Sequence, residues 1–456
     1  MKEIIMENLC RLTATEMIKK VRNREISVAE LIKAHIERIE KIEPKVLAWT
    51  YFDKDSALKQ AQDIDNKIKD NQGIGKLCGI PIGIKDVFNT FDMPNEMGSV
   101  IWKDYTPGND ARVVFMIREE DAVILGKTVT AEFAVHAEGK TLNPHNKEFS
   151  PGTSSSGSAA AVASYMVPVA LGTQTGGSII KPASYNGIYG MKPSFGLIPR
   201  TGVLKTTDTL DTIGFFSRSA EDLKLMLDVT RVKGDDYPLI KKYLEDESRQ
   251  KSKNIWKIAL VKSHLWKYAE EYAKNALLSF AEKLKESKNI KIEEVELPGG
   301  FENVHDIHTL IYDKTLAYYF NKEYSNNMDK LSNIIKEIIA RGNKISLEQY
   351  KDALKKQIEL SLKLDKLFEN YDIILTLSTS AHAPKKYESE NLDTSWIWTF
   401  CGVPSINLPV FKAPNNMPFG TQIVARKYND YLLLNFAEFL KNNNYIRNGT
   451  YPELNF

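Results

Sequence analysis

"SPGTSSSGSAAAVAS", residues 150–164, sets three consecutive serines between glycines and then turns abruptly into alanine and valine. A flexible Gly/Ser linker would continue in Gly and Ser and join two independent units. Here strong helix formers follow at once, and "MVPVALG" (166–172) then reads as a strand. The serines therefore stand where a loop enters a helix, a place rich in unpaired N–H donors. A phosphate-cradling loop needs Lys and Ser/Thr directly after its glycines, but Ala159 and Ala160 occupy that region. The separate "GKT" at 126–128 lacks the upstream glycine at the right spacing. What remains is a rigid loop that presents hydroxyls and backbone N–H groups.

Working outward, "LCGIPIGIKDVFNT" (77–90) is a short apolar run broken by Gly79, Pro81 and Gly83, which suits a buried strand. Ala122–Leu125 predicts a second strand, followed by a turn and a helix start. "YDIILTLSTSAHAP" (371–384) and "GVPSINLPVF" (402–411) predict two more. Upstream, Thr13–Glu16 and Ser27–Glu30 each fit a capping box. Leu31, Ile32, His35, Ile36, Ile39 and Ile42 then share one helical face, so residues 1–70 read as an N-terminal helical arm. Residues 71–239 alternate strands and helices as an α/β core. Residues 240–370, rich in Lys, Glu and Asn, read as a helical cap with solvated charged faces, and 371–456 return to the core sheet. The expectation is one domain over 1–456, with no repeat and no low-complexity linker.

Composition excludes several classes. The 456 residues are 43% apolar and 26% charged, and 61 Lys+Arg nearly cancel 59 Asp+Glu. Nothing in that balance advertises nucleic acid or an anionic membrane. Cys10, Cys78 and Cys401 are odd in number, far apart and without CxxC spacing, so they read as reduced thiols in a cytoplasmic protein. The N-terminal "MKEIIMENLC" has two glutamates within seven residues and argues against a signal peptide, and no apolar run is long enough for a membrane helix.

The chemistry-bearing stretch is "GTQTGGSII" (172–180), which places Ser178 directly after Gly176 and Gly177. Amides without side chains can turn inward around an atom bonded to Ser178, which is what an oxyanion hole requires. Seven histidines are present, none in an obvious catalytic setting. His305 and His308 read as surface or half-buried residues rather than metal ligands, since no third ligand is near. Lys85, in an apolar segment, is a candidate base, because burial disfavours the ammonium. On that segment alone, a Lys85–Asp86 surface pair at a strand end is the plainer reading.

As a set, "GIPIGIKD" (79–86), "SPGTSSSGSAAAVA" (150–163) and "GTQTGGSIIKPASYNGIYGMKPSFGLIPRTGV" (172–203) resemble the amidase signature family. "DARVVFMIREEDAVILGKT" (110–128), "LDTIGFFSRSAEDLKLMLDV" (210–229), "DTSWIWTFCGVPSINLPV" (393–410) and "MPFGTQIVARKYNDYLLL" (417–434) support the match in the family's order. The resemblance reverses the plainer reading of Lys85. It implies an α/β fold, a central mixed sheet of many strands covered by helices on both faces. It also implies a Ser–Ser–Lys triad: Lys85 as base, Ser154 as bridging serine in a cis peptide bond, and Ser178 as nucleophile. The N–H groups of Thr175, Gly176 and Gly177 would then form the oxyanion hole, with Ser155 supporting the lysine. No cofactor and no metal are implied.

The chain departs from the family's common pattern at four places. Gln174 stands for Asp, Ile180 for Arg, and Thr153 and Asp121 for Gly. Within the family the motifs resemble the small-molecule branch that includes malonamidase and the amidase domain of allophanate hydrolase. There an arginine three residues after the nucleophile grips a substrate carboxylate, and here that position is Lys181. Two readings of Lys181 stay open: a contact for a carboxylate-bearing amide, or a partner for a structural acid. The expected function is hydrolysis of a small-molecule amide, with no nucleic acid or membrane partner and with a homodimer compatible with the resemblance. The alternatives are the glutaminase component of a tRNA-dependent amidotransferase complex and a catalytically silent binding or scaffold protein.

Overall fold

The computed structural model describes residues 8–454 apart from 391. The first seven residues, on which the signal-peptide reading and the start of the N-terminal arm rest, lie outside the described residues.

Both predicted capping boxes form. Thr13 and Ser27 accept the N–H of Glu16 and Glu30 while those carboxylates return to the cap N–H, starting the helices Ala14–Arg22 and Val28–Val46. The apolar stripe of the second helix is buried. This arm is not helical throughout, however. Trp49–Phe52 is strand β1 and closes one edge of the sheet against β3 (Val123–Thr128). Strand β3 runs three residues past the predicted Leu125, so "GKT" is sheet rather than a turn.

The remaining strands are β2 (Pro81–Lys85), β4 (Val169–Gln174), β5 (Tyr189–Lys192) and β6 (Thr212–Ser217). Then follow β7 (Trp256–Val261), β8 (Ile290–Val295), β9 (Ile373–Leu377), β10 (Ser405–Lys412) and β11 (Pro418–Val424). They build one 11-stranded mixed sheet in the order β1-β3-β2-β4-β6-β5-β10-β11-β9-β7-β8. Every residue of β2, β3, β5, β6, β9 and β11 is buried. Alternate residues of a strand face opposite sides, so both faces of the sheet are covered by helices.

The 240–370 segment corrects the expectation of a purely helical cap. Its strands β7 and β8 pair in parallel and carry the sheet beyond β9 to its far edge. Charged residues on the exposed positions of β8 hid its alternation behind a helix-like composition. The helices Val304–Tyr319, Asn333–Lys344 and Leu347–Leu367 supply the cap, and the first of them presses onto the strand-end loops where the serines lie. Asp121, where glycine is commoner in the family, has φ +59° and holds the turn before β3. Its carboxylate accepts the Gly75 N–H and pairs with Lys67 at 2.7 Å.

Candidate active site

Lys85 ends β2, the serine loop leads into the helix Ser156–Ala163, and β4 lies beside β2. Parallel pairing of β2 with β4 therefore brings Lys85 to the segment that carries Thr173 and Ser178. The lysine is fully buried, and its Nζ donates to Ser154 Oγ at 2.7 Å, Thr173 Oγ1 at 2.8 Å and Ser155 Oγ at 3.0 Å. All three partners are hydroxyls. Burial pushes the ammonium well below its ordinary range, and the more distant charge of Asp211 opposes this only in part. The Lys85–Asp86 surface pair does not form: Asp86 is itself buried and pairs with Lys127 at 3.3 Å. The Thr153–Ser154 peptide is cis.

Ser178 is half-buried, and among the described residues its hydroxyl makes no hydrogen bond. The loop before it is held from outside. His308 Nε2 donates to the Thr175 carbonyl at 2.7 Å, and Thr399 Oγ1 donates to the Gly176 carbonyl at 2.7 Å. In a trans peptide the C=O and the next N–H point to opposite sides, so these two contacts aim the Gly176 and Gly177 N–H groups away from His308 and Thr399. Neither N–H has a protein acceptor among the described residues, although both glycines are buried. Unpaired buried N–H groups are rare in folded proteins, and here two stand side by side. A Cβ on Gly176 would lie 2.9 Å from the Trp396 ring, so glycine alone fits beneath the indole.

His308 and His305 are buried, not surface residues, and neither joins a metal cluster among the described residues. Burial pushes His308 down to about 3, so it is a neutral donor at physiological pH. Gln174, a departure from the family pattern, accepts the Ile179 and Ile180 N–H groups at 2.8 and 2.9 Å and donates to Thr399 at 2.9 Å. It thereby caps the start of the helix Ile180–Asn186 and fixes the turn that carries Ser178. Thr175 Oγ1 donates to Asp211 at 2.8 Å, anchoring the other side of the loop. Sequence reading missed His308, Thr399 and Thr173. No local signal marks them, because each reaches the site from a distant element.

Lys181 is also buried, and its Nζ lies 2.9 Å from Glu390 and 3.3 Å from Asp393. Glu390 additionally accepts the Thr153 N–H and hydroxyl at 3.3 and 3.1 Å. Of the two readings of Lys181, the geometry thus provides the structural acids. A cavity of ≈ 540 Å³ opens beside this cluster, with Thr153, Lys181 and Trp396 among its walls. A second, of ≈ 190 Å³, is bounded by Thr173, Thr175, Arg200 and Asp211.

Residues 30–434 match the family described as Amidase, and the chain belongs to that family. Its members hydrolyse amide C–N bonds, which makes this protein an amide hydrolase by class. Among curated relatives, the chain is 31% identical to the A subunit of the glutamyl-tRNA(Gln) amidotransferase of Fusobacterium nucleatum subsp. nucleatum, over 96% of this chain and 98% of the relative. It is 30% identical to the corresponding protein of Staphylococcus epidermidis, over 93% and 94%. Among solved structures, the peptide amidase of Stenotrophomonas maltophilia superposes with a TM-score of 0.82 at 24% identity, covering 96% of this chain and 98% of that one. A crystal structure of an amidase gives 0.85 at 24%, covering 95% and 100%. The fold is therefore the amidase-signature fold. Among the described residues, no helix is long and apolar enough to cross a membrane.

Proposed function

We propose that the protein hydrolyses a small amide through an acyl-enzyme on Ser178, with Lys85 as the base and Ser154 as the bridge. The observation that carries this reading is the pairing of a buried lysine, bonded only to hydroxyls, with two unpaired glycine N–H groups beside a half-buried serine whose hydroxyl makes no hydrogen bond among the described residues. Neutral Lys85 takes a proton from Ser154 as Ser154 takes one from Ser178. The Ser178 oxygen then attacks the amide carbonyl, and the N–H groups of Thr175, Gly176 and Gly177 receive the oxyanion. Protons returned along the relay expel ammonia or an amine, and water repeats the sequence on the ester. Ser155 and Thr173 keep Nζ aligned, while His308 and Thr399 hold the N–H groups in place. The Ser154–Ser178 link is not closed in the free chain, and catalytic hydrogen bonds of free enzymes often tighten only on substrate.

A second reading is supported by the relatives: a glutaminase working inside an amidotransferase complex, with a partner that consumes the ammonia. The test is ammonia release from malonamate, allophanate, glutamine, propionamide and an aryl acetamide, with Ser178→Ala protein as the blank. Release from a non-glutamine amide, absent in the blank, is the expected result. Release from glutamine alone, or only with a co-purifying protein, would replace the first reading with the second. Release that persists in Ser178→Ala would overturn both.

A further inference from the structure

We infer that the cavity beside Ser178 accepts amides bearing a cationic or strongly hydrogen-bond-donating group and rejects carboxylates; this inference rests on the amidase reading above. The cavity is placed at the reacting centre by its walls. Trp396 covers Gly176, Thr153 precedes the bridging serine, and Lys181 Cε would lie 3.5 Å from a Cβ on Gly177. A substrate whose carbonyl sits at the N–H groups therefore projects its remainder into this space.

The charges there are unbalanced. Among the described residues Lys181 is the one cation in the wall, and two carboxylates, Glu390 and Asp393, already offset it. Glu138 and Glu388 line the same cavity without a cation of their own among the described residues. Glu138 accepts the Ser150 hydroxyl and the Tyr387 N–H, and both of these partners are neutral. Three carboxylates of the wall, with Asp393 outside it, thus stand against one ammonium. Of the cations flanking the wall, Lys386 donates to the Lys140 and Thr141 carbonyls rather than to a carboxylate, and Arg341 pairs with Asp313 at 2.7 Å. A substrate carboxylate would meet repulsion from these like charges, and near a protein surface charges interact more strongly than in bulk water. An ammonium would meet the carboxylate oxygens of Glu388 and Glu390.

The experiment uses a matched series of butanamide, 4-aminobutanamide and succinamate, which differ only in the group at the far end. With the full chain, kcat/KM for ammonia release should fall in the order ammonium, neutral, carboxylate, by about tenfold or more from first to last, the scale of one charge pair near a protein surface. Glu388→Gln, at an exposed position that threatens no folding contact, should shrink the ammonium advantage through KM. Glu390→Gln should shrink it further, and raised salt should do the same. Calorimetric titration of Ser178→Ala protein with the same three amides reads the preference without turnover. If nothing is hydrolysed yet the ammonium amide binds tightest, the hydrolysis reading falls and this one stands. If succinamate is preferred in turnover or binding, this one falls, and Arg200 in the second cavity becomes the anion contact. Equal treatment of all three, or a preference unmoved by Glu388→Gln and Glu390→Gln together, would also overturn it.

Discussion

Lys85 and Lys181 are both buried around the loop that carries Ser178, yet their surroundings give them opposite chemistry. Lys85 meets three hydroxyls, and burial lowers its pKa toward the range where a neutral amine can accept a proton. For Lys181 burial pulls the same way, but Glu390 and Asp393 outweigh it and hold the ammonium above its ordinary range. Residue type and burial are shared. The carboxylates decide which lysine is shifted down, as the proposed base must be, and which is held as a cation.

Several experiments break or sharpen that contrast. The largest effect belongs to the proposed nucleophile: Ser178→Ala should cut kcat by about 10⁴–10⁶-fold with an unchanged melting temperature, as removing a serine nucleophile does elsewhere. Lys85→Ala should cost nearly as much. Lys85→Arg should not rescue it, because a guanidinium stays charged and can take no proton; a Lys85→Arg enzyme retaining most activity would refute the base assignment.

Next comes the hole. His308→Ala should lower kcat by about 10²-fold with little change in KM, the scale of a lost oxyanion-hole donor. His308→Gln, which keeps a side-chain N–H, should recover part of the loss. A change confined to melting temperature, with kcat intact, would leave His308 as packing alone.

Lys181→Met should act on the fold more than on the chemistry. It strands Glu390 and Asp393 together, and breaking a buried pair by removing one partner costs about 3–5 kcal/mol, readable as a lower denaturation midpoint. If instead stability holds and only acidic substrates lose affinity, the carboxylate-gripping reading of Lys181 would be restored.

The smallest effect concerns pH. Because Lys85 must be neutral to act, kcat/KM should rise with pH through a limb lying below the ordinary lysine value of about 10.4. Protonation of the folded site is disfavoured, so the unfolded chain binds the extra proton between the lowered folded pKa and that ordinary value. Stability from this group therefore increases with pH across the same window. His308, held at about 3, should add no limb at neutral pH. A rising limb at or above that ordinary lysine value would contradict a buried lysine that acts in its neutral form.

Local features were legible where local physics sets them. The Thr13 and Ser27 capping boxes, the apolar stripe of Val28–Val46 and the strands ending at Lys85 and Gln174 follow from hydrogen bonds and periodicities a few residues long. Strands β1 and β8 were not legible: β1 is four residues within a helical arm, and β8 is an edge strand whose exposed charges mimic a helix face. Ser178 and its glycines were visible as a motif, while Lys85 was ambiguous until the family's motifs were taken together.

Residue order alone names what is available for the chemistry: the serines, the paired glycines, the lysine in an apolar run, and the family to which they belong. What each one meets follows from how the chain folds. Ser154 lies 69 residues beyond Lys85, and His308 lies 133 beyond the carbonyl it holds. Strand order and the packing of the helix Val304–Tyr319 bring these pairs to 2.7 Å, and no local pattern encodes either. The partners of Lys181 come together in the same way. Glu390 reaches it from 209 residues downstream, and a pKa answers to the groups within a few ångströms, however far apart they stand in the chain.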